Sequence, residues 1–541
     1  MPPGEWSLRT PDPEIADRYR AEGLWTDHTL GQLLADGLAT RPDRALRIWS
    51  DQRPYRGTFG DGLGRAQQFA GALQARGVGA DDVIAFQLPN HVEAVVTFWG
   101  LSLLGAPIVP IVHFYGPKEV EYILRQSGAR VLVTADRFGH LDYLEMLEGL
   151  RPRLPDLEHV IVVGDDHGPW DGFEAVVDRA EPVYGPHPVD PDAPALIAYT
   201  SGTTADPKGV IHTHRTIGAE IRQLGAMQPA GPPLLTGAPV GHAIGMLAGL
   251  LLPVYRGESV HLIDVWDPTR VLEAVATGEV YAGSGATFFL LSLLDHPDFG
   301  EEHRSRMTQI GLGGSPVPAA VGDRAESLGI SIVRSYGSTE HPSTTGATHD
   351  EPNDKRKHTD GHPLVGVELR LVDDDGTEVA PGEAGEILSR GPDLFAGYTD
   401  PALTAEAVDA DGWYHTGDVG VLDEDGWLTI TDRKKDIIIR GGENVSAAEV
   451  EEQLVRLPGV AEVAVVAAPD ERLGEHACAF IRAQPGTDAL RLEDVRACLE
   501  EAGLARQKWP EEVRAVDDFP RTASGKIKKY ELRARLRGQG S

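Results

Sequence analysis

The sequence predicts an α/β protein. A large N-terminal domain of parallel-sheet αβ subdomains, with a small β-rich subdomain, is followed by a small α+β C-terminal domain. Three observations predict this. Helix-period and strand-period segments alternate through most of the first 430 residues, the pattern of parallel sheets covered by helices. From 366 to 430 the segments become short strands separated by turn signals, such as Val372-Asp373-Asp374-Asp375-Gly376 and Leu422-Asp423-Glu424-Asp425-Gly426. Beyond Asp436 a helix–strand–strand–helix unit of about a hundred residues stands apart, within the usual size of a domain. A chain of 541 residues also outgrows a single core.

Taken in order, residues 60–76 read as a helix, 83–87 as a strand, 120–126 as a helix and 131–134 as a strand. Residues 94–112 are uncharged over about nineteen positions, near the length of a membrane span. Gly100, Gly105, Pro107 and Pro110 interrupt that stretch. It therefore reads as a buried helix over Val92–Leu104, a turn, and a short buried strand over 108–112, with no integral membrane span. Polar loops rich in Pro and Asp cover 181–194 and 349–362. In the C-terminal unit, 449–456 and 492–502 read as helices, and 460–467 and 477–482 as strands.

Apolar residues at 41% and charged residues at 25% describe an ordinary globular protein. The formal charge of −33 disfavours nucleic acid and anionic membrane surfaces as partners, since both would be repelled. An anionic ligand would then need a local positive pocket. Cys478 and Cys498 are too few for a disulfide framework. With no basic-then-apolar secretory pattern in Met1-Pro2-Pro3-Gly4-Glu5, a reducing, cytoplasmic location is expected.

One loop carries chemistry: Tyr199-Thr200-Ser201-Gly202-Thr203-Thr204-Ala205-Asp206-Pro207-Lys208-Gly209. Its glycines let backbone N–H groups approach an anion, four hydroxyls add donors, and one ammonium adds charge. This is a phosphate-gripping loop. It is not the Walker type, because Gly-Val-Ile follows Lys208 where Ser or Thr and a helix are needed. A polar surface hairpin is the bland alternative. Gly311-Leu312-Gly313-Gly314 lacks the context of a dinucleotide site. His212-Thr213-His214 has no acidic or Cys partner nearby to make a metal site.

Four further motifs follow in order: Tyr336-Gly337-Ser338-Thr339-Glu340, Trp413-Tyr414-His415-Thr416-Gly417-Asp418, Asp432-Arg433-Lys434-Lys435-Asp436 with Gly441-Gly442-Glu443-Asn444, and Pro520-Arg521-Thr522-Ala523-Ser524-Gly525-Lys526. Their order and spacing resemble the adenylate-forming enzyme superfamily, which holds acyl-CoA synthetases, peptide-synthetase adenylation domains and firefly-type luciferases. The resemblance runs from about residue 30 to 535. It implies a core over 1–431, a hinge at 432–436 and a lid over 437–541, with the active site between core and lid.

The resemblance implies roles residue by residue. Thr200, Ser201, Gly202, Thr203, Thr204 and Lys208 would hold the β- and γ-phosphates of ATP. Glu340, with Thr200, would hold Mg²⁺, a hard cation that keeps much of its water shell. Thr339 would contact the α-phosphate. Tyr336 would pack on adenine, beside Gly313, Gly314 and Ser315 and the turn at Gly337 and Ser338. Asp418 would accept the ribose hydroxyls, with Arg433 assisting. Lys526 would bridge the carboxylate and the α-phosphate during adenylation only. Rotation about Lys435 would then withdraw it and bring Gly441 and Gly442, with Glu443, beside the pantetheine arm of coenzyme A.

His242 matches a family position beside the acyl pocket. Residues 241–252 have no acidic side chain where amino-acid-activating relatives carry an aspartate. An amino-acid ammonium would be buried unpaired there, at a cost of roughly several kcal/mol, which argues against a peptide-synthetase role. The expected lining is small or apolar: Ala243, Met246, Gly283, Ser284, Gly285, Leu312, Thr345 and Gly346, with His341 a polar outlier that either orients a substrate group or braces its loop. So many glycines favour a medium-chain, alicyclic or aryl acid. Glu340-His341-Pro342 resembles medium-chain fatty-acyl or cyclohexanecarboxylate CoA ligases. The expected function is an AMP-forming acid–CoA ligase; the alternative loads the acyl group onto a carrier protein's phosphopantetheine. A homodimer is open.

Overall fold

The computed structural model describes residues 6–200, 207–227, 232–282, 285–314, 317–434, 436–440, 443–470, 472–487, 489–502, 504–522 and 525–538. Ser201, Gly202, Thr203, Thr204, Gly283, Ser284, Ser315, Lys435, Gly441 and Gly442 lie outside them.

Two sheets, mostly parallel, form the N-terminal bulk. The larger has eight strands among the described residues. Four of them, Ile108–Pro110, Ile84–Gln87, Val131–Ala135 and His159–Val163, are neighbours in parallel register. On the other side of 108–110 lies Pro194–Thr200, parallel to it, then Lys208–Thr213 and Gly397–Tyr398 as antiparallel neighbours. The second sheet runs Tyr281–Ala282, Leu234–Thr236, Val260–Ile263, Ala45–Trp49 and Tyr55–Thr58. Gln309–Gly313 and Ser331–Ser335 add a parallel pair, bridged to Gly285 through Leu312.

The uncharged stretch behaves as its glycines and prolines require. Val92–Leu104 is a helix buried over nearly its whole length, and Gly105 ends it at φ +76, a left-handed conformation that glycine adopts without strain. An apolar helix of this kind belongs between layers, where water reaches neither face. It packs on the helix Phe59–Gln74 in a core that includes Trp99, Phe59 and Phe98. Gly100 allows that approach, since a Cβ there would fall 2.8 Å from the Ala66 carbonyl. Among the described residues no helix is long and apolar enough to cross a membrane.

The β-rich subdomain is a four-stranded antiparallel sheet of Glu368–Val372, Ala384–Arg390, Tyr414–Leu422 and Leu428–Arg433. The smaller C-terminal domain has its own sheet, with Val460–Asp470 and Gly474–Ala483 paired at its centre. The helices Ala447–Leu454 and Leu492–Glu501 cover one face, and Lys529–Leu536 packs against the core on the other. The sequence placed the first of these helices two residues too late. Ser446 starts it by accepting from the Glu449 N–H, a cap that the apolar periodicity does not register.

Candidate functional site

The described ends of the phosphate-loop motif, Tyr199-Thr200 and Lys208-Gly209, lie on two paired strands. Strand 194–200 pairs antiparallel with 208–213, and Thr200 lies opposite Lys208, so the two strands that flank the motif meet at one edge. Gly209 is required there: a Cβ would stand 2.7 Å from Thr399 Oγ1 and 2.9 Å from the Tyr199 ring. Gln126, from the helix Pro117–Ser127, ties the edge together. It accepts from the Tyr199 hydroxyl and donates to Thr399 Oγ1 at 2.6 Å.

The second motif begins where strand 331–335 ends. Gly337 makes a turn so tight that a Cβ would lie 1.9 Å from the Pro342 carbonyl oxygen. That turn sets Tyr336 against the β-rich subdomain, where its hydroxyl donates to Asp418 Oδ2 at 2.7 Å. Burial, and then Asp418, push the Tyr336 phenol well above its ordinary value, so it stays a donor. Asp418 is 2% exposed and stands opposite Arg433 in the sheet, with Oδ1 2.6 Å from Arg433 Nε. Oδ1 nevertheless accepts no well-aligned hydrogen bond among the described residues.

Thr339 and Glu340 are held from behind. His212 donates from Nε2 to the Thr339 carbonyl at 2.8 Å and lies against Thr216 through Nδ1 at 3.2 Å. His214 Nδ1 accepts from the Leu30 N–H. Both histidines of that sequence motif are therefore used inside the fold. Glu340 accepts from the Tyr398 hydroxyl at 2.7 Å through Oε1, and its other oxygen has no hydrogen-bond partner among the described residues. The Lys208 ammonium lies over the face of the same Tyr398 ring, 5.1 Å from its centre. Tyr398 escaped the sequence reading because Ala396-Gly397-Tyr398 has the look of an apolar strand end.

His341 is a correction to the expected acyl lining. Its ring is 1% exposed and is committed on both sides, through Nδ1 to Ser389 Oγ at 2.8 Å and through Nε2 to Asp393 Oδ1 at 3.1 Å. Glu220 joins this network by accepting from Ser343 Oγ at 2.6 Å. Burial and then Asp393 raise the Glu220 carboxyl far above the usual range, so it holds a proton beside the Asp393 carboxylate. His341 braces the loop and has no valence left for a substrate. Leu312 and Met246 are 1% exposed within two hydrophobic cores. Thr345 pairs with Pro363 and donates to the Asp360 carbonyl at 2.5 Å, and a Cβ on Gly346 would meet Met227. Ala243 is half-buried, and Gly285 packs its α-carbon towards Phe289. Gly314 adopts φ +74, where a side chain would meet Ile244.

The C-terminal loop reaches this ground from the other domain. Arg521 stacks over Phe288 at 5.5 Å from the ring centre, and Gly525 sits against the same side chain. Lys526 is thereby close enough to His242 for its charge to act on the imidazole. Burial first, and the Lys526 ammonium second, push His242 down to about 4. His242 is thus a neutral ring beside a lysine, and its Nδ1 accepts from the Ile244 N–H at 3.4 Å.

The same physics makes a global prediction. Six histidines among the described residues (His113, His212, His214, His242, His261 and His349) are each pushed down to about 4, with burial the first cause. A histidine whose folded value lies below its ordinary 6.5 binds a proton more readily when unfolded. Stability is therefore intact above about pH 6.5 and is lost as pH falls towards 4. The melting temperature should drop by several degrees between pH 7 and 5.5 in a scanning-calorimetry series. A flat profile across that window would contradict this reading.

Comparison with known proteins agrees with this arrangement. The family model described as AMP-binding enzyme matches residues 34–399, and that of the AMP-binding enzyme C-terminal domain matches 449–526. The medium-chain fatty-acid–CoA ligase of Escherichia coli K12 is 33% identical over 521 residues, covering 95% of this chain and 92% of that one. A 3-[(3aS,4S,7aS)-7a-methyl-1,5-dioxo-octahydro-1H-inden-4-yl]propanoyl:CoA ligase of Rhodococcus jostii RHA1 is 37% identical over 484 residues, with 87% and 92% covered. The solved structure of the anthranilate CoA ligase AuaEII with anthranoyl-AMP superposes with a TM-score of 0.86 at 26% identity, covering 95% of this chain and 98% of that one. Fold and site define the class as an adenylate-forming acid–thiol ligase. The chain belongs to the AMP-binding enzyme family, as an acyl-CoA ligase that uses ATP and coenzyme A.

Proposed function

We propose that this ligase activates a medium-chain, alicyclic or aryl carboxylic acid with ATP and Mg²⁺, releasing pyrophosphate, and then transfers the acyl group from AMP to coenzyme A. The observation that supports the reading is the docking of the C-terminal loop, with Arg521 over Phe288 and Gly525 against the same side chain, which brings the Lys526 charge to bear on His242. In this arrangement the chain is set for adenylation.

A carboxylate is a poor electrophile, with delocalised charge and hydroxide as a bad leaving group. Its attack on the α-phosphate expels pyrophosphate and leaves AMP as a group that a thiol can displace, and preplaced donors and cations stabilise the charge that develops in both steps. Lys526 bridges the acid's oxygen and the α-phosphate, and Thr200 and Lys208 receive the phosphates that leave. The site fits the nucleotide in two respects. Asp418 Oδ1, though 2.6 Å from Arg433 Nε, accepts no aligned hydrogen bond from a described residue, which suits it to a ribose hydroxyl. Gly313, the last residue of strand 309–313, and Gly314 after it carry no side chain, and Gly313 stands opposite Ser335, the residue that precedes Tyr336. For Mg²⁺, Glu340 presents one oxygen uncommitted to any described residue, and Thr200 a hydroxyl. The bound metal supplies charge neutralisation on phosphate oxygens. Neutral His242 adds bulk and a ring edge to the acyl end without repelling Lys526. Residues 435 and 441–442 take the hinge and pantetheine roles in the second half-reaction.

The relatives support the acid class, since their names span a fatty acid and a fused-ring propanoate. The test is pyrophosphate release across straight-chain acids, cyclohexanecarboxylate, benzoates and amino acids, with and without coenzyme A. Release from one apolar class, stimulated many-fold by coenzyme A, is expected. Tight acid preference without that stimulation would transfer the second step to a carrier-protein thiol, and preference for amino acids would overturn the pocket reading.

A further inference from the structure

One segment touches both charged halves of the site. The main chain of residues 395–399 donates from Phe395 N to the Glu340 carbonyl, from Ala396 N to that of Ile211 and from Thr399 N to that of Gly209, each at 2.8 Å. Tyr398 and Val210 are register partners between the Gly397–Tyr398 and 208–213 strands. The segment therefore straps the second motif to the root of the phosphate hairpin. At its centre Tyr398 is 2% exposed, with its hydroxyl on Glu340 and its ring face beneath the Lys208 ammonium.

The chemistry of that contact is unusual for one side chain. A lysine and a glutamate in the same cleft attract, and a direct ion pair would spend both charges on each other. Among the described residues no ion pair joins Lys208 to Glu340. The aromatic face gives the ammonium a soft, partial counter-charge, and the hydroxyl gives the carboxylate one strong donor. Each partner is thus oriented, and each keeps capacity for a ligand: among the described residues no hydrogen bond takes up a Lys208 N–H donor, and one Glu340 oxygen is likewise uncommitted. Within the strap Phe395 packs edge-on against the Tyr398 ring and is itself backed edge-on by Tyr414. Gln126, through Thr399, fixes its far end.

We propose that Tyr398 is a positioning residue for adenylation, a spacer that holds Glu340 and Lys208 apart and aims the Glu340 carboxylate at the divalent cation that accompanies ATP. This rests on the proposed roles of Glu340 and Lys208. It predicts that the hydroxyl acts through Glu340 on the metal, and the ring through Lys208 on the phosphates.

The test uses the full chain, ATP and Mn²⁺ as a paramagnetic stand-in for Mg²⁺, with free Mn²⁺ read by electron paramagnetic resonance. Tyr398→Phe should weaken Mn²⁺ binding in the presence of ATP by about tenfold, the worth of one hydrogen bond to a charged group. It should lower the melting temperature by no more than a few degrees, and slow thioester formation from supplied acyl-AMP far less than it weakens Mn²⁺ binding. In a Glu340→Gln background the same substitution should add no further weakening, a non-additivity that a merely structural role would not produce. Tyr398→Leu, which also removes the ring, should weaken ATP binding beyond the phenylalanine variant. Unchanged Mn²⁺ affinity in Tyr398→Phe would overturn the assignment. So would an equal loss in the Glu340→Gln background, or a parallel fall in melting temperature and in both half-reactions. A wild-type chain that binds ATP with no dependence on divalent cation would overturn the functional reading itself, and this assignment with it.

Discussion

Lys526→Ala should abolish acid-dependent pyrophosphate release, by at least about 10²- to 10³-fold, the loss expected when one preorganised electrostatic group is removed from a transition state. Conversion of supplied acyl-AMP and coenzyme A to the thioester should continue near the wild-type rate. The split follows from placement. The lysine comes from a C-terminal loop that docks on Phe288 through Arg521 and Gly525, and its charge is felt at His242. A group delivered by a second domain serves the step for which that domain is docked, and its loss leaves core residues such as Asp418 in place. Both half-reactions are followed in one preparation, pyrophosphate by coupled assay and thioester by chromatography. Equal loss of the two would mean that Lys526 supports the fold of the site, not one step.

Gly337→Ala should lower adenylation by on the order of 10²-fold, because displacing a catalytic turn by about 1 Å misaligns groups that must act together. The methyl group would stand 1.9 Å from the Pro342 carbonyl oxygen and 2.6 Å from its carbon, and backbone atoms cannot step aside as a side chain can. The turn must open. Opening it moves Tyr336 from Asp418 on one side and Glu340 from Tyr398 on the other. Overpacking of this kind costs roughly 1–3 kcal/mol, so a lower melting temperature should accompany the kinetic loss. ATP affinity by calorimetry and the pre-steady-state burst report the two effects separately. Wild-type values for both would show that residues 337–342 move freely and that the glycine is dispensable.

The contrast between His242 and His341 shows how far a sequence can be read. Both are histidines beside motif residues, and both were placed at the acyl pocket. In the structure one lies within reach of the Lys526 charge, while the other is locked between Ser389 and Asp393. Nothing local distinguishes them, because Ser389 and Asp393 are some fifty residues away along the chain and meet His341 only through tertiary packing. Leu312 was likewise placed in a small or apolar pocket lining, yet it is buried in a core with residues such as Ile263, Ile310 and Ile332.

By itself the sequence determined the alternation of helices and strands, the buried nature of residues 92–104, the separate C-terminal unit and the order of motifs that ties the chain to its family. These features are written locally, in periods of two and 3.6 residues, in glycine and proline, and in short runs of chemistry-bearing side chains. Tertiary structure alone decided which polar side chains are spent on the scaffold and which remain for a ligand. It set Tyr398 between Lys208 and Glu340, joined Glu220 to Asp393 behind His341, and brought the Lys526 loop onto Phe288. The reason is physical. A hydrogen bond or ion pair depends on ångström distances between groups that the chain separates by tens or hundreds of residues, and only the folded core fixes those distances.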